Sequence, residues 1–171
     1  MPWLREYAID VLEVLFVRDA MRTDMVVLQA QARARDALEM ADGPRDDRSQ
    51  HLYPVLDAED SLMGAVSFAD LSACGRDPAR SESPVVEILK SPTLTVFSNE
   101  TLRTAVQRMA GAGVTRLLVV NPADSRHLVG KIALHDLLSA RVRHLEEEDR
   151  RERVLPWEYI LPPQLRPRSG R

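Results

Sequence analysis

Apolar residues in this chain fall into short groups with two different periods. Leu94-Thr95-Val96-Phe97 is β-branched and aromatic, the composition of a short strand. Leu102, Ala105, Val106 and Met109 then recur at i, i+3, i+4 and i+7, which places them on one helical face. Ser98 or Asn99 is placed to cap that helix, and Gly111 and Gly113 to end it. Leu117 to Val120 is apolar at every position, as expected of a strand covered on both sides. Asn121-Pro122 opens a turn, Leu128 to Leu134 reads as the next strand, and Asp136 sits near the start of a last helix.

The same plan is written twice. Met21 to Leu38 lies over Leu89 to Val106 at an offset of 68, Leu52 to Asp57 over Arg116 to Asn121 at 64, and Gly64 to Leu71 over Gly130 to Leu137 at 66. The offset shifts where polar loops differ in length, around Gly43 to Ser49 and in Pro122 to His127. In copy one the elements are expected at Val26 to Leu28, Ala34 to Met40, Leu52 to Leu56, Leu62 to Val66, and from Asp70 onward. One unit of ~55 residues is a marginal fold by itself, so the copies are expected to pack sheet to sheet. The predicted fold is α/β: two β-α-β-β-α repeats related by a pseudo-two-fold axis, with clefts between them and helical extensions at both ends. The divisions read as a lead-in helix over 1–16, repeats over 17–75 and 85–145, a polar linker over 76–84, and an extension over 146–171.

The lead-in helix rests on a stripe of Leu4, Ala8, Val11, Leu12 and Leu15. In the extension, Glu146–Arg150, Glu147–Arg151 and Asp149–Arg153 are acid-before-base pairs at i, i+4, each worth ~0.3–0.5 kcal/mol on a solvated face. Pro156 stops that helix, and Trp157, Tyr159, Ile160 and Leu161 form an apolar patch that should dock on the body or on a second subunit.

Composition narrows the chemistry. With 23 basic and 26 acidic residues the net charge is −3, so no global basic field recruits nucleic acid. The single cysteine, Cys74, excludes an internal disulfide and every multi-cysteine zinc site, and its surroundings suit a small buried residue rather than a nucleophile. Apolar runs such as Val14 to Val17 and Leu117 to Val120 fall far short of the ~18 residues that cross a bilayer. Arg5, Glu6, Asp10 and Glu13 exclude a signal-peptide core, so an intracellular location is expected. The glycines are scattered, without a phosphate loop. His51, His127, His135 and His144 lack ligand spacing, and no metal site is expected. Asp46-Asp47 and Glu59-Asp60 fall in polar loops, and no catalytic constellation is found, so the chain does not read as an enzyme.

Met21-Arg-Thr-Asp24 entering a strand, Tyr53-Pro-Val-Leu-Asp57, and Gly-(apolar)₂-Ser-x-x-Asp-Leu in duplicate resemble tandem CBS domains, the Bateman module, over roughly residues 17 to 140. The flanks, Leu12 to Met21 and Ser139 to Leu155, are similar to the cytoplasmic C-terminal region of bacterial voltage-gated chloride channel (ClC) proteins. The resemblance implies a regulatory module on the cytoplasmic face of a membrane protein whose channel domain is absent from this chain. It implies a homodimer and a regulatory ligand, an adenine nucleotide (ATP, ADP or AMP), with no cofactor required.

The family's ligand signature is Gly-x-x-Thr/Ser-x-x-Asp. A carboxylate accepts from both ribose hydroxyls, at ~1.5–3 kcal/mol per charged hydrogen bond, and the hydroxyl donates to a phosphate. Backbone groups near the strand ends read the adenine edge. Copy one keeps the signature as Gly64, Ser67 and Asp70; copy two has Gly130 and Asp136 but Ala133 in place of the hydroxyl. The resemblance places Thr93, Leu94, Thr95, Thr115 and Arg116 in the cleft of Ser67 and Asp70, with Arg116 as phosphate partner. It places His135 and Asp136 opposite Met25, Val26, Gln50 and His51 in the other. Where some relatives stack an aromatic ring on the purine, Gln50 and His51 stand, and Tyr53 belongs to the strand. Asp70 and Asp136 are also placed to cap their helices, a role that needs no ligand. Two alternatives remain: a ligand-free dimerisation scaffold of a membrane protein, and a regulatory domain of a soluble enzyme.

Overall fold

The computed structural model describes residues 10–43, 50–89 and 93–154, with the side chains of residues 148, 149 and 151–154 outside the description. Two one-turn helices, α1 (Val11–Val14) and α2 (Val17–Ala20), come first. Copy one follows as β1 (Leu28–Gln29), α3 (Ala34–Asp42), β2 (Leu52–Leu56), β3 (Leu62–Ser67) and α4 (Phe68–Gly75). After a 3-10 turn at Val85–Ile88, copy two repeats the order as β4 (Thr95–Phe97), α5 (Leu102–Ala112), β5 (Arg116–Asn121), β6 (Asp124–Ala133) and α6 (Leu134–Val154).

Each copy forms its own three-stranded sheet. The helical crossover makes the first two strands parallel, and a hairpin makes the last two antiparallel. The registers agree: Val55 faces Gly64, Val119 faces Gly130, and a bulge follows each. The duplicated α/β fold expected from the sequence is the fold observed.

Several boundaries differ from expectation for local reasons. Thr101, not Ser98 or Asn99, caps α5, its Oγ1 accepting from the Thr104 N–H at 3.3 Å. Ser98 and Asn99 lie in a turn closed by Glu100 N–H to the Phe97 carbonyl and by Phe97 N–H to Glu100 Oε2 at 2.7 Å. The helix runs through Gly111 and ends at Gly113, whose φ of 66° suits glycine. β6 begins at Asp124, already paired with Asn121 across a tight turn, so the expected loop from Pro122 to His127 is largely strand. Val26 precedes β1 rather than opening it, because a side chain, Gln50, takes both of its backbone groups.

Of the lead-in stripe, Leu4 and Ala8 lie outside the described residues, and α1 ends at Val14. α6 extends past residue 145 to Val154 as expected. Pro156, the patch from Trp157 to Leu161, and the pairings that use Asp149, Arg151 and Arg153 lie outside the described residues.

The two cores are separate, and each borrows from the other copy. One unites Leu28, Ala34, Ala37, Tyr53, Val55, Val66, Leu71 and Cys74 with Val85 and Ile88 from the turn that leads into copy two. The other unites Val96, Leu102, Ala105, Leu117, Val119, Ile132 and Leu137 with Val17 and Ala20 from the turn that leads into copy one. Backbone bonds repeat the exchange. Val17 and Arg18 donate to the Glu100 and Ser98 carbonyls; Val85 and Val86 donate to those of Ala32 and Ala30. Bridges Phe16–Thr101 and Pro84–Arg33 complete the symmetry.

On β5, Leu117 and Val119 enter the helix-covered core, while Leu118 and Val120 are buried on the opposite sheet face. The copies are joined there by the bridges Arg22–Lys131 and Ser61–His127. Cys74 is buried, its thiol 3.4 Å from the Arg80 carbonyl.

Candidate functional site

Both ligand-signature carboxylates stand at helix starts, where the signature's spacing puts them. Ser67 caps α4: its Oγ accepts from the Asp70 N–H at 3.1 Å and its hydroxyl donates to Asp70 Oδ2 at 2.7 Å. Asp136 makes a different bond, to the backbone that precedes its helix. Its Oδ2 accepts from the Ala133 N–H at 2.8 Å, and Ala133 has no hydroxyl. The Asp136 carboxylate thus takes a backbone N–H at its helix start, whereas in copy one the cap is Ser67 and the Asp70 carboxylate accepts from the Ser67 hydroxyl, a pair particular to copy one.

Two glycines bring other segments against the strands that lead into these helices. A Cβ at Gly64 would lie 3.3 Å from Thr93 Oγ1 and 3.1 Å from a Leu89 methyl. A Cβ at Gly130 would lie 2.8 Å from the Arg22 carbonyl oxygen and 3.1 Å from the Met21 sulfur. Thr93 therefore lies against the strand that ends in Ser67. Leu94 packs against the copy-two core, and its carbonyl accepts from the Leu118 N–H at 3.3 Å. The Thr95 carbonyl accepts from Arg108 Nη1 at 2.7 Å, and Arg108 grips both Glu100 oxygens at 3.0 Å. These bonds fix the backbone at the entrance to β4.

The second cleft encloses a cavity of about 160 Å³ between the copies. His135 and Asp136 line it together with Gln50 and His51, whereas Met25 and Val26, expected with them, do not. Arg116 also lines it, whereas it was expected in the cleft of Ser67 and Asp70. The sheet register explains the placement. Arg116 at the start of β5 pairs with Ala133 at the end of β6, so it lies beside the Asp136 of its own copy. Thr115 is exposed next to it, its hydroxyl 3.4 Å from Arg116 Nη1 and its carbonyl accepting from the Leu134 N–H. His135 is exposed, with Nε2 3.5 Å from Ser139 Oγ.

Arg22 and Lys131 also line this cavity and were not anticipated. They exchange backbone hydrogen bonds at 2.9 Å in both directions. The available signal was Lys131 directly after the signature's Gly130. The lining thus has three cations, Arg22, Arg116 and Lys131, two histidines and one carboxylate; Arg22 is also paired with Asp24 at 3.3 Å, and the balance still favours anions. Tyr53 is buried in the copy-one core, its hydroxyl 3.4 Å from the Ala41 carbonyl, and is unavailable for stacking on a base. Among the described residues no cluster of His, Cys, Asp and Glu could hold a metal ion, and no helix is long and apolar enough to cross a membrane.

No curated protein matches the chain. Solved structures do. The CBS domain of the bacterial CNNM/CorC family Mg²⁺ transporter in complex with ATP is 20% identical, with a TM-score of 0.63 over 77% of this chain and 89% of that one. A hemolysin-like protein containing a CBS domain, from Oenococcus oeni, is 18% identical, with a TM-score of 0.59 over 75% and 91%. At such identities the likeness is one of fold. The CBS domain family model matches residues 17–74 and again 85–143, more than half of the chain. The chain belongs to the CBS domain family, as a tandem pair of these regulatory domains.

Proposed function

We propose that this chain is a nucleotide-responsive regulatory module, the cytoplasmic part of a ClC-type chloride channel or transporter, and is not itself an enzyme. The assignment to ClC proteins rests on the flanks, Leu12 to Met21 and Ser139 to Leu155. Its units are 1–16, 17–75, 76–84, 85–145 and 146–171, as read from the repeats. The observation that carries nucleotide sensing is the Ser67–Asp70 pair at the head of α4, with Thr93 lying against β3 across Gly64. A carboxylate and a hydroxyl at one helix start, with a second hydroxyl from the other copy against the strand leading to it, suit a ribose and its phosphate. A ligand held by both copies shifts their arrangement only by its differential affinity for two states, and the terminal helices would carry that shift to the membrane domain.

Titration calorimetry with ATP, ADP and AMP tests the reading. Binding is expected at sub-millimolar concentration, and Asp70→Ala is expected to weaken it by about tenfold or more, the worth of one charge-assisted hydrogen bond. No heat from a folded sample at millimolar nucleotide would end the sensing role.

Dimerisation has its own support. Leu134, Leu138, Val142 and Leu145 recur along one side of α6 and are 40–56% exposed, an apolar helical stripe suited to a second copy. Leu138→Glu is expected to convert a dimer to a monomer in sedimentation at equal concentration; an unchanged dimer would move the interface elsewhere. The second reading, a ligand-free scaffold, is favoured by the bonds between Ser67, which caps α4 through the Asp70 N–H, and the Asp70 carboxylate, which accepts from the Ser67 hydroxyl. It predicts a dimer whose melting temperature ignores nucleotide.

A further inference from the structure

Gln50 is the one polar residue buried within the described chain, at 8% exposure. Its amide makes four hydrogen bonds. Oε1 accepts from the Val26 N–H at 2.8 Å and lies 3.5 Å from the Lys131 ammonium; Nε2 donates to the Val26 carbonyl at 2.9 Å and to the Leu52 carbonyl at 3.2 Å. Only this orientation of the amide satisfies every partner, because both Oε1 neighbours are donors and both Nε2 neighbours are acceptors. The side chain therefore presents an acceptor and an adjacent NH₂ donor to the two backbone groups of one residue. The N1 and N6 edge of adenine presents the same pair. Gln50 lines the cavity and Val26 does not, so the amide stands between the ligand space and the peptide.

We infer that Gln50 is a built-in occupant of the base-reading position in the second cleft. It sets the cleft's specificity toward a compact phosphate anion and against an adenine nucleotide. The inference rests on the nucleotide-sensing reading, in which backbone groups near the strand ends read the adenine edge; in the second cleft those groups are taken to be the N–H and carbonyl of Val26. Size agrees: about 160 Å³ is below the roughly 300–1,000 Å³ of pockets that enclose drug-sized ligands. Charge agrees too, since Arg116 and Lys131 line the cavity with His51 and His135 and with Arg22, itself paired with Asp24, against Asp136 as the lining carboxylate. Arg116 has no carboxylate partner among the described residues. Its guanidinium can thus meet two phosphate oxygens at once.

The test uses the full chain carrying Asp70→Ala, so that the first cleft does not contribute. Pyrophosphate and AMP are titrated while the ring signals of His51 and His135 are followed by NMR. Pyrophosphate is expected to shift both rings and to bind at least tenfold more tightly than AMP. Adding Gln50→Ala is expected to strengthen AMP binding at least tenfold and to change pyrophosphate binding less than about threefold. Gln50→Asn, which keeps an amide but is one methylene short of Val26, is a second route to the same gain if the alanine variant does not fold. AMP binding at these rings as tightly as pyrophosphate with Gln50 in place would overturn the inference. So would silence of both rings toward both probes, or no gain in AMP binding in a folded Gln50 variant. Failure of the first-cleft reading shows separately, as wild-type nucleotide binding that Asp70→Ala leaves unchanged.

Discussion

A chain divided between Gly75 and Pro84 is expected to give two halves that are each unfolded alone and regain structure only when mixed. The linear order suggests otherwise, because each half contains a complete sheet with its helices. The exchange of lead-in turns decides the matter. The first half keeps the copy-one core but loses Val85 and Ile88, which are 0% and 7% exposed in the intact chain. The second half loses Val17 and Ala20 from its own core, 0% and 7% exposed. Burying an aliphatic side chain of valine or isoleucine size contributes about 1.5–3 kcal/mol, so the first half forfeits roughly 3–6 kcal/mol of burial before lost backbone bonds are considered. Each half also exposes the turn it should have lent, and a unit of this length has little stability to spare. Far-ultraviolet circular dichroism of each half and of the equimolar mixture measures the outcome. A cooperative melt of either half alone would show the exchange to be dispensable.

The repeats themselves were legible because they leave a mark on every residue of a strand. Leu117 to Val120 is apolar throughout since β5 is covered on both faces, and the offset of 64 between β2 and β5 survives as an identical register and bulge. The exchange was not legible. Val17 and Val85 are ordinary apolar residues, and nothing in a local pattern says which of two similar cores a turn will enter. The signature residues Ser67, Asp70 and Asp136, with His135 beside the last, stand at the helix starts. Arg116 moved from one cleft to the other because its position follows strand register, a long-range property. Gln50 read as an absent aromatic, a loss of function. Its amide geometry shows it to be a hydrogen-bonding partner for Val26 instead, and that role depends on a contact 24 residues away in the chain.

Gly130→Ala and Gly111→Ala, the same chemical change, are expected to shift stability in opposite directions. At Gly130 a Cβ would stand 2.8 Å from the Arg22 carbonyl oxygen. That oxygen accepts from the Lys131 N–H, and the Lys131 carbonyl accepts in turn from the Arg22 N–H, both at 2.9 Å. The backbone of Arg22 can retreat only by stretching the bridge that joins the copies beside the second cleft. Overpacking of this kind typically costs about 1–3 kcal/mol, which at roughly 2–4 °C per kcal/mol for a chain of this size lowers the melting temperature by about 2–12 °C. At Gly111 nothing lies within 4 Å of the added methyl and the residue is already helical. Removing glycine's extra freedom in the unfolded chain should there stabilise by about 0.5–1 kcal/mol. Gly64→Ala falls between them, because its nearest neighbour is the movable end of Leu89 rather than backbone. Thermal melts of the three variants rank them. An unchanged or raised melting temperature for Gly130→Ala would mean that the entry segment of copy one does not press on β6, and the shape assigned to the second cleft would fall with it.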